Sequence, residues 1–247
     1  MMKDKVVIIT GGAKGIGRGT AEVILEKGGR VVVADLERTD DMPKGVEFME
    51  CDVTSSASVD AMVRETARRF GRLDGLFANA GIGTYKDFLE MDDAFWRETL
   101  AVNLDGVFYC CRAAAREMKK RGGGAIVATS SVRALATTAV VAHYTSSKAG
   151  VLGLVTALAN DLAPHGIRVN AVLPGAIETP MLWDAARLFT DNDMEKLKTT
   201  FLPMVPMKRI GQPREIGEAV AFLLSDAASY ITGAHLPVDG GMLCQLC

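Results

Sequence analysis

Seven short runs of mostly apolar residues limit what this chain can fold into more than any other feature. They are "KVVIIT", "RVVVAD", "VEFMEC", "LDGLFANAG", "GAIVATSS", "IRVNAVLPG" and "HLPVD", and longer amphipathic stretches separate most of them. Strands that are apolar on nearly every residue must be covered on both faces, and strands that alternate with helices pair in parallel. The pattern predicts an α/β, three-layer, doubly wound parallel sheet of about seven strands with helices on both faces. Helices are expected from about Ile16 to Lys27, Ser56 to Phe70, Asp93 to Lys120, His143 to Ala163 and Pro213 to Leu224.

A length of 247 residues suits one such domain, and no internal repeat or low-complexity linker divides 1–247. Only the stretch between "PGAIETP" and "KRIGQPRE" lacks the pattern. There Met181, Leu182, Trp183, Leu188, Phe189, Phe201, Leu202, Met204 and Met207 are mixed with acids and prolines. An insertion after the C-terminal end of a strand lies where open α/β sheets bind ligand. Residues 181–209 are therefore read as a substrate lid, with packing against another subunit as the alternative.

Charge narrows the partners. The 28 basic and 30 acidic residues give a net charge of -2, and neither sign forms a block, which argues against nucleic acid and anionic membrane surfaces. No apolar run approaches the roughly 18 residues that span a bilayer, and "MMKDKVVIIT" reads as a polar start feeding a strand. A cytoplasmic protein is expected. Five cysteines, with Cys110 and Cys111 adjacent inside an apolar helical pattern, suggest reduced thiols. Cys244 and Cys247 have no second ligand pair at suitable spacing, so they are read as tail residues and no metal site is expected.

The first strand runs into "TGGAKGIG", where Gly11, Gly15 and Gly17 let the backbone turn tightly and approach a pyrophosphate at a helix N-terminus. This is not the commonest G-x-G-x-x-G spacing, so context matters. Asp35 ends the second strand, where an acid accepts hydrogen bonds from the ribose hydroxyls of an adenosine and repels a 2′-phosphate. NAD is thus expected over NADP, with Lys14 and Arg38 as the competing signal. Asp52 and Val53 end the third strand beside a possible adenine, and Asn79, Ala80 and Gly81 follow the fourth.

"AHYTSSKAG" places Tyr144 and Lys148 on one face of a helix, with Ser131 thirteen residues before the tyrosine at the end of the fifth strand. Together with "TGGAKGIG", "CDV", "ANAG", "AVNLDGVF", "LPGAIETP" and "ITGAHLPVDGG", these residues resemble the short-chain dehydrogenase/reductase family over essentially the whole chain. The resemblance implies a Rossmann-type fold and a catalytic tetrad of Asn103, Ser131, Tyr144 and Lys148.

A phenol with an ordinary pKa of about 10 needs help to act as a base, and Lys148, together with a cationic nicotinamide when NAD⁺ is bound, is expected to favour the phenolate. Tyr144 would then take the proton of an alcohol, Ser131 would hold the same oxygen, and Asn103 would hold a water that links Lys148 to solvent. Ser130, one residue off the spacing, should point elsewhere. The resemblance also implies cofactor contacts from Ile16, Leu36, Pro174, Gly175, Ile177 and Thr179, and a homotetramer or a dimer. Two departures are Ala78, where the family often has asparagine, and Ala134, where it often has glycine.

Arg133, His143, Met181 and Trp183 are the substrate candidates, in a pocket that also includes Tyr85 and Leu135. Arg133 could pair with a carboxylate or face solvent, and His143 could touch substrate or simply pack. Mostly apolar walls suit a partly hydrophobic secondary alcohol or ketone: a sugar, a polyol or a cyclic alcohol. The alternatives are an NADPH-dependent 3-ketoacyl thioester reductase and, outside enzymes, a nucleotide-binding regulator.

Overall fold

The computed structural model describes residues 2–190, 193, 195, 196, 199 and 202–245, without the side chains of 186, 188 and 189. The expected Leu188 and Phe189 side chains, Phe201 and Cys247 lie outside the described residues. Seven strands form one parallel sheet: β1 (Val6–Thr10), β2 (Arg30–Asp35), β3 (Glu47–Glu50), β4 (Gly75–Ala78), β5 (Gly124–Thr129), β6 (Ile167–Pro174) and β7 (His235–Val238). Their order is β3-β2-β1-β4-β5-β6-β7.

Successive residues of a strand point to opposite faces, so each central strand feeds two cores. On one face Val7, Ile9, Val31, Val33, Phe77 and Val127 meet the helices α1 (Gly15–Glu26) and α7 (Pro213–Leu224). On the other face Ile8, Val32, Leu76 and Ile126 meet α2 (Ser56–Phe70), α4 (Gly106–Lys119) and α5 (Ala142–Leu162). Two further helices are α3 (Asp93–Leu100) and α6 (Pro180–Thr190). Among the described residues no helix is long and apolar enough to cross a membrane.

Two expectations change. The single helix expected from Asp93 to Lys120 is interrupted: α3 and α4 are joined by a π-helical turn, Ala101–Asp105. Hydrophobic periodicity runs through such a turn with only a phase slip, which is why the pattern reads as continuous. The stretch expected to be irregular after β6 begins instead with α6, where Pro180 takes the first helical position and Leu182 and Ala185 are buried.

Strand order reverses direction between β1 and β4. The chain leaves β1 to build β2 and β3 on one side, then returns to β4 on the other, opening a crevice beyond the C-terminal ends of the two. Gly11 and Ala80 meet there: a Cβ on Gly11 would lie 2.7 Å from the Ala80 Cα.

Candidate active site

The glycine loop is shaped by close approach as much as by turning. Gly11 (φ +62°) and Gly15 (φ +53°) occupy the left-handed region, and a Cβ on Gly17 would lie 2.2 Å from the Gly11 carbonyl oxygen. No side chain caps the N-terminus of α1, which leaves the first-turn amides of Gly15, Ile16 and Gly17 facing outward from a cradle a Cβ would fill. These residues fit a dinucleotide pyrophosphate. Thr179 packs against Gly15 from the far side, 3.3 Å from its Cβ position, so the segment after β6 folds back over the loop.

Asp35 is held in place. Its Oδ2 accepts from the Ala13 amide at 3.0 Å and its Oδ1 from the Leu36 amide at 2.9 Å, with further lone pairs left for ribose hydroxyls. The Asp52 Oδ1 accepts from the Thr54 amide and hydroxyl, at 2.9 and 2.7 Å, and so builds the turn before α2. Val53 is buried against α4, where a Cβ on Gly106 would lie 3.0 Å from the Val53 Cγ2. The Asn79 side chain is spent on scaffolding: its Nδ2 donates to the carbonyls of Thr10 and Gly11, both at 3.1 Å, and its Oδ1 accepts from the Thr129 hydroxyl. Lys14 and Arg38 are exposed.

Residues that sequence reading passed over belong to the same edge. Arg18 pairs with Glu22 at 3.2 Å and with Asp41, while the Thr39 hydroxyl donates to the Ala13 carbonyl. Arg18 and Asp41 lie in a surface helix and a loop of unremarkable composition, so only the folded chain brings them together.

Asn103, Ser131, Tyr144 and Lys148 come from four positions that the sheet gathers. Ser131 follows β5, where its Oγ accepts from the Arg133 amide at 3.1 Å and starts the 3-10 turn Val132–Ala134. Tyr144 stands in the first turn of α5 and hydrogen-bonds with Ser131. Lys148 is buried one turn on, 5.7 Å from the centroid of the Tyr144 ring, with its Nζ donating to the Thr129 carbonyl at 3.0 Å. Ser130 points away, donating to the Lys148 carbonyl at 2.8 Å.

Asn103 sits in the π turn, fully buried. Its Oδ1 accepts from the Ile82 amide at 2.8 Å, and its Nδ2 donates to the Ile82 carbonyl and to Ser147. A Cβ on Gly81 would lie 3.1 Å from that Oδ1 and 3.4 Å from the Lys148 Nζ. The asparagine amide therefore holds the backbone beside the lysine rather than reaching into open space.

The electrostatics differ from the expectation that Lys148 lowers the Tyr144 pKa. Burial raises it above 10, and what pulls it back is the Ser131 hydrogen bond and the Arg133 charge. Burial also lowers the Lys148 pKa, from 10.5 to about 8. A lowered lysine pKa marks a cost of holding the charge in the fold, present below pH 8 and relieved as pH rises from about 8 to 10.5. That cost is about 3 kcal/mol, partly offset by about 1.5 kcal/mol from the Thr129 hydrogen bond. Lys148→Met should accordingly melt a few degrees above wild type at pH 7. Wild type should close the gap by pH 10, as thermal melts without added cofactor would record.

The substrate candidates divide. The His143 ring is fully buried, with Nε2 on the Thr84 hydroxyl and carbonyl at 2.9 and 3.0 Å and Phe95 edge-on at 5.1 Å. It has no exposed atom with which to meet a substrate, and of its two readings the structure favours packing, against Thr84 and Phe95. Trp183 turns toward the glycine-loop side, into a cleft of about 560 Å³ with Lys14, Arg18, Thr39 and Asp41. None of the four tetrad positions lines that cleft. Met181 bridges from α6 to the loop after β4, its Sδ 2.8 Å from the Cβ position of Gly83. Arg133 extends along Tyr85, its guanidinium carbon 6.0 Å from that ring's centroid.

The remaining cofactor candidates line the segment after β6. Pro174 ends the strand, Gly175 leaves room for Asp239, Ile177 is buried and bridges to Gly211, and the Thr179 hydroxyl donates to the Ile177 carbonyl at 3.3 Å. Leu36 is 63% exposed, an apolar surface next to Asp35. Cys51, Cys110 and Cys111 are buried free thiols. Burial raises the pKa of all three, that of Cys111 to about 12, which makes them poor nucleophiles.

Comparison with known proteins agrees with this geometry. Residues 11–243 match a family model described as enoyl-(acyl carrier protein) reductase. The chain is 40% identical to cis-4-hydroxycyclohexanecarboxylate dehydrogenase of Sinomonas cyclohexanicum, over 96% of each protein. It is 34% identical to 3-oxoacyl-(acyl-carrier-protein) reductase of Thermotoga maritima, over 98% of this chain and 99% of that protein. The structure of Thermoplasma acidophilum aldohexose dehydrogenase superposes with a TM-score of 0.94 at 38% identity, covering 99% of this chain and 96% of that one. With a seven-stranded doubly wound sheet and relatives that act on alcohol and keto groups, the chain belongs to the short-chain dehydrogenase/reductase family of nicotinamide-dependent oxidoreductases.

Proposed function

We propose that the chain is an NAD-dependent dehydrogenase that interconverts a cyclic secondary alcohol and its ketone, with Tyr144 as general acid/base. The observation that carries this reading is the meeting of the Ser131 hydroxyl, the Tyr144 phenol and the buried Lys148 at the end of β5, on the same sheet edge as the glycine loop. Bound NAD would supply the hydride acceptor, and the chain supplies position and proton handling.

Ser131 holds the reacting oxygen next to Tyr144, which takes the alcohol proton or returns it to the ketone. Lys148, with a pKa of about 8, exchanges protons near neutral pH far more readily than an ordinary lysine. Asn103 is a positioning residue that fixes Gly81 and Ile82 beside it. The family relationship supports a cyclic substrate through the dehydrogenase of a hydroxycyclohexane acid, and residues 181–209 serve as its lid.

NAD is favoured over NADP because the Asp35 carboxylate, held beside the glycine loop by the Ala13 amide, would repel a 2′-phosphate, and Arg18 is already paired with Asp41. A panel of alcohols and ketones, followed by nicotinamide absorbance with NAD and NADP at equal concentration, tests the proposal. A preference for NAD of about 10- to 100-fold in kcat/KM is expected, falling at least about 10-fold in Asp35→Ser. Equal or better turnover with NADP would reject the cofactor assignment. Reduction of acetoacetyl thioesters ahead of cyclic ketones would reject the substrate class in favour of the ketoacyl reductase reading. A homotetramer built on α4 and α5 would cover Phe108, which is 38% exposed, and the buried reduced thiols suit the cytoplasm.

A further inference from the structure

We propose that Arg133 is the carboxylate-recognition residue of the substrate site, so that the preferred substrate is an anionic alcohol. The inference rests on the alcohol dehydrogenase reading above and deepens it. Arg133 has hydrogen bonds from its backbone amide to the Ser131 Oγ at 3.1 Å and from its Nη1 to the Thr138 hydroxyl at 2.9 Å, and it stacks toward Tyr85. No acid pairs with it among the described residues. The lid carboxylate whose charge reaches Tyr85, Asp184, is taken by Arg187 at 3.2 Å.

A half-buried guanidinium beside Tyr85 gives up part of its hydration, and the Thr138 hydroxyl and the Tyr85 ring offset that loss without neutralising the charge. A planar fork of N–H donors suits one ligand chemistry best, a carboxylate bound through two parallel hydrogen bonds. The charge is also in range of the chemistry, since it is felt at the Tyr144 hydroxyl as well as at Tyr85.

Position supports the same conclusion. Arg133 and Ser131 belong to one 3-10 turn, so the group that holds the reacting oxygen and the group that holds the charge are mounted on a single rigid unit. The loop beyond is pinned as well: the Lys86 amide donates to the Val140 carbonyl at 3.0 Å, and Thr137 bonds to Thr145 at 2.6 Å. Val140 is held at φ +60°, a strained conformation for a β-branched residue, which only a closely determined loop retains. A substrate bridging Ser131 and Arg133 therefore meets two groups carried by one turn.

The test has two arms. Calorimetric titration of cyclohexanecarboxylate and cyclohexanecarboxamide into the NADH-saturated enzyme reads recognition without turnover. The carboxylate should bind about 10-fold or more tightly, and Arg133→Gln should bring the two to parity while Arg133→Lys recovers part of the difference. Kinetics with 4-hydroxycyclohexanecarboxylate and its methyl ester should give the same ratio in KM, collapsing in Arg133→Gln. Equal binding of acid and amide by wild type, or an unchanged ratio in Arg133→Gln, would overturn the proposal. Tight, Arg133-dependent binding of the acid with no turnover of any alcohol would retain the carboxylate site and reject the dehydrogenase reading instead.

Discussion

Tyr144→Phe should bind NADH with wild-type affinity and lose alcohol oxidation by about 10³-fold, within the range that a positioned acid/base contributes. The substitution removes one oxygen. Phenylalanine keeps the ring that Lys148 approaches at 5.7 Å and leaves untouched the buried Lys148 hydrogen bond to Thr129. It removes the proton carrier and the hydrogen bond to Ser131, which together define where a substrate oxygen can be activated. The loss should fall on kcat, since a step made only in the transition state disappears. Fluorescence titration of NADH alongside steady-state kinetics separates the two effects, and wild-type turnover would sink the assignment of the base.

Gly17→Val is expected to weaken NADH binding by about 100-fold or more and to cost about 3 kcal/mol of stability, at the upper end for overpacking. A new Cβ would sit 2.2 Å from the Gly11 carbonyl oxygen and 2.8 Å from the Gly12 Cα, both backbone atoms that cannot turn aside. The loop has to move as a whole, and the first-turn amides of α1 move with it. Gly153 provides the control: a Cβ there meets nothing within 4 Å, so Gly153→Ala should leave NADH affinity unchanged. Titrations of both variants, with thermal melts, distinguish a displaced cradle from a general loss of fold; wild-type affinity in Gly17→Val would mean that the loop is not the cradle.

The architecture was legible because it is written in local patterns. Val6 to Thr10 and Ile167 to Pro174 are almost entirely buried strands, and no other sheet covers both faces of such runs. The spacing of Ser131, Tyr144 and Lys148 was legible for a similar reason: a helix places residues four apart on one face whatever surrounds it. Helical periodicity was a poorer guide at Ala101–Asp105, where one π turn changes which side Asn103 faces without disturbing the apolar pattern.

Charge and partnership were not legible. Spacing could suggest that Lys148 lowers the Tyr144 pKa, but burial acts first on both groups, and the lysine Nζ is turned to a backbone carbonyl. His143 has the same sequence context whether its ring packs or binds, and it packs only because Thr84 and Phe95 come from distant parts of the chain. Arg18 finds Asp41, while Arg133 finds Thr138 and no acid among the described residues, through side chains that sequence separation does not order.

By itself the sequence determined the alternation of strand and helix, the glycines that a close backbone approach requires, and the register of phenol and ammonium on α5. These depend on periods of two and 3.6 residues and on steric exclusion, which act over a few neighbours. Only the tertiary structure decided that Asn103 braces Gly81, that His143 is sealed, and that the Arg133 guanidinium meets Thr138 and Tyr85 and no acid among the described residues. Those outcomes depend on burial and on partners far away in the chain, and both exist only once the sheet has brought its strand ends together.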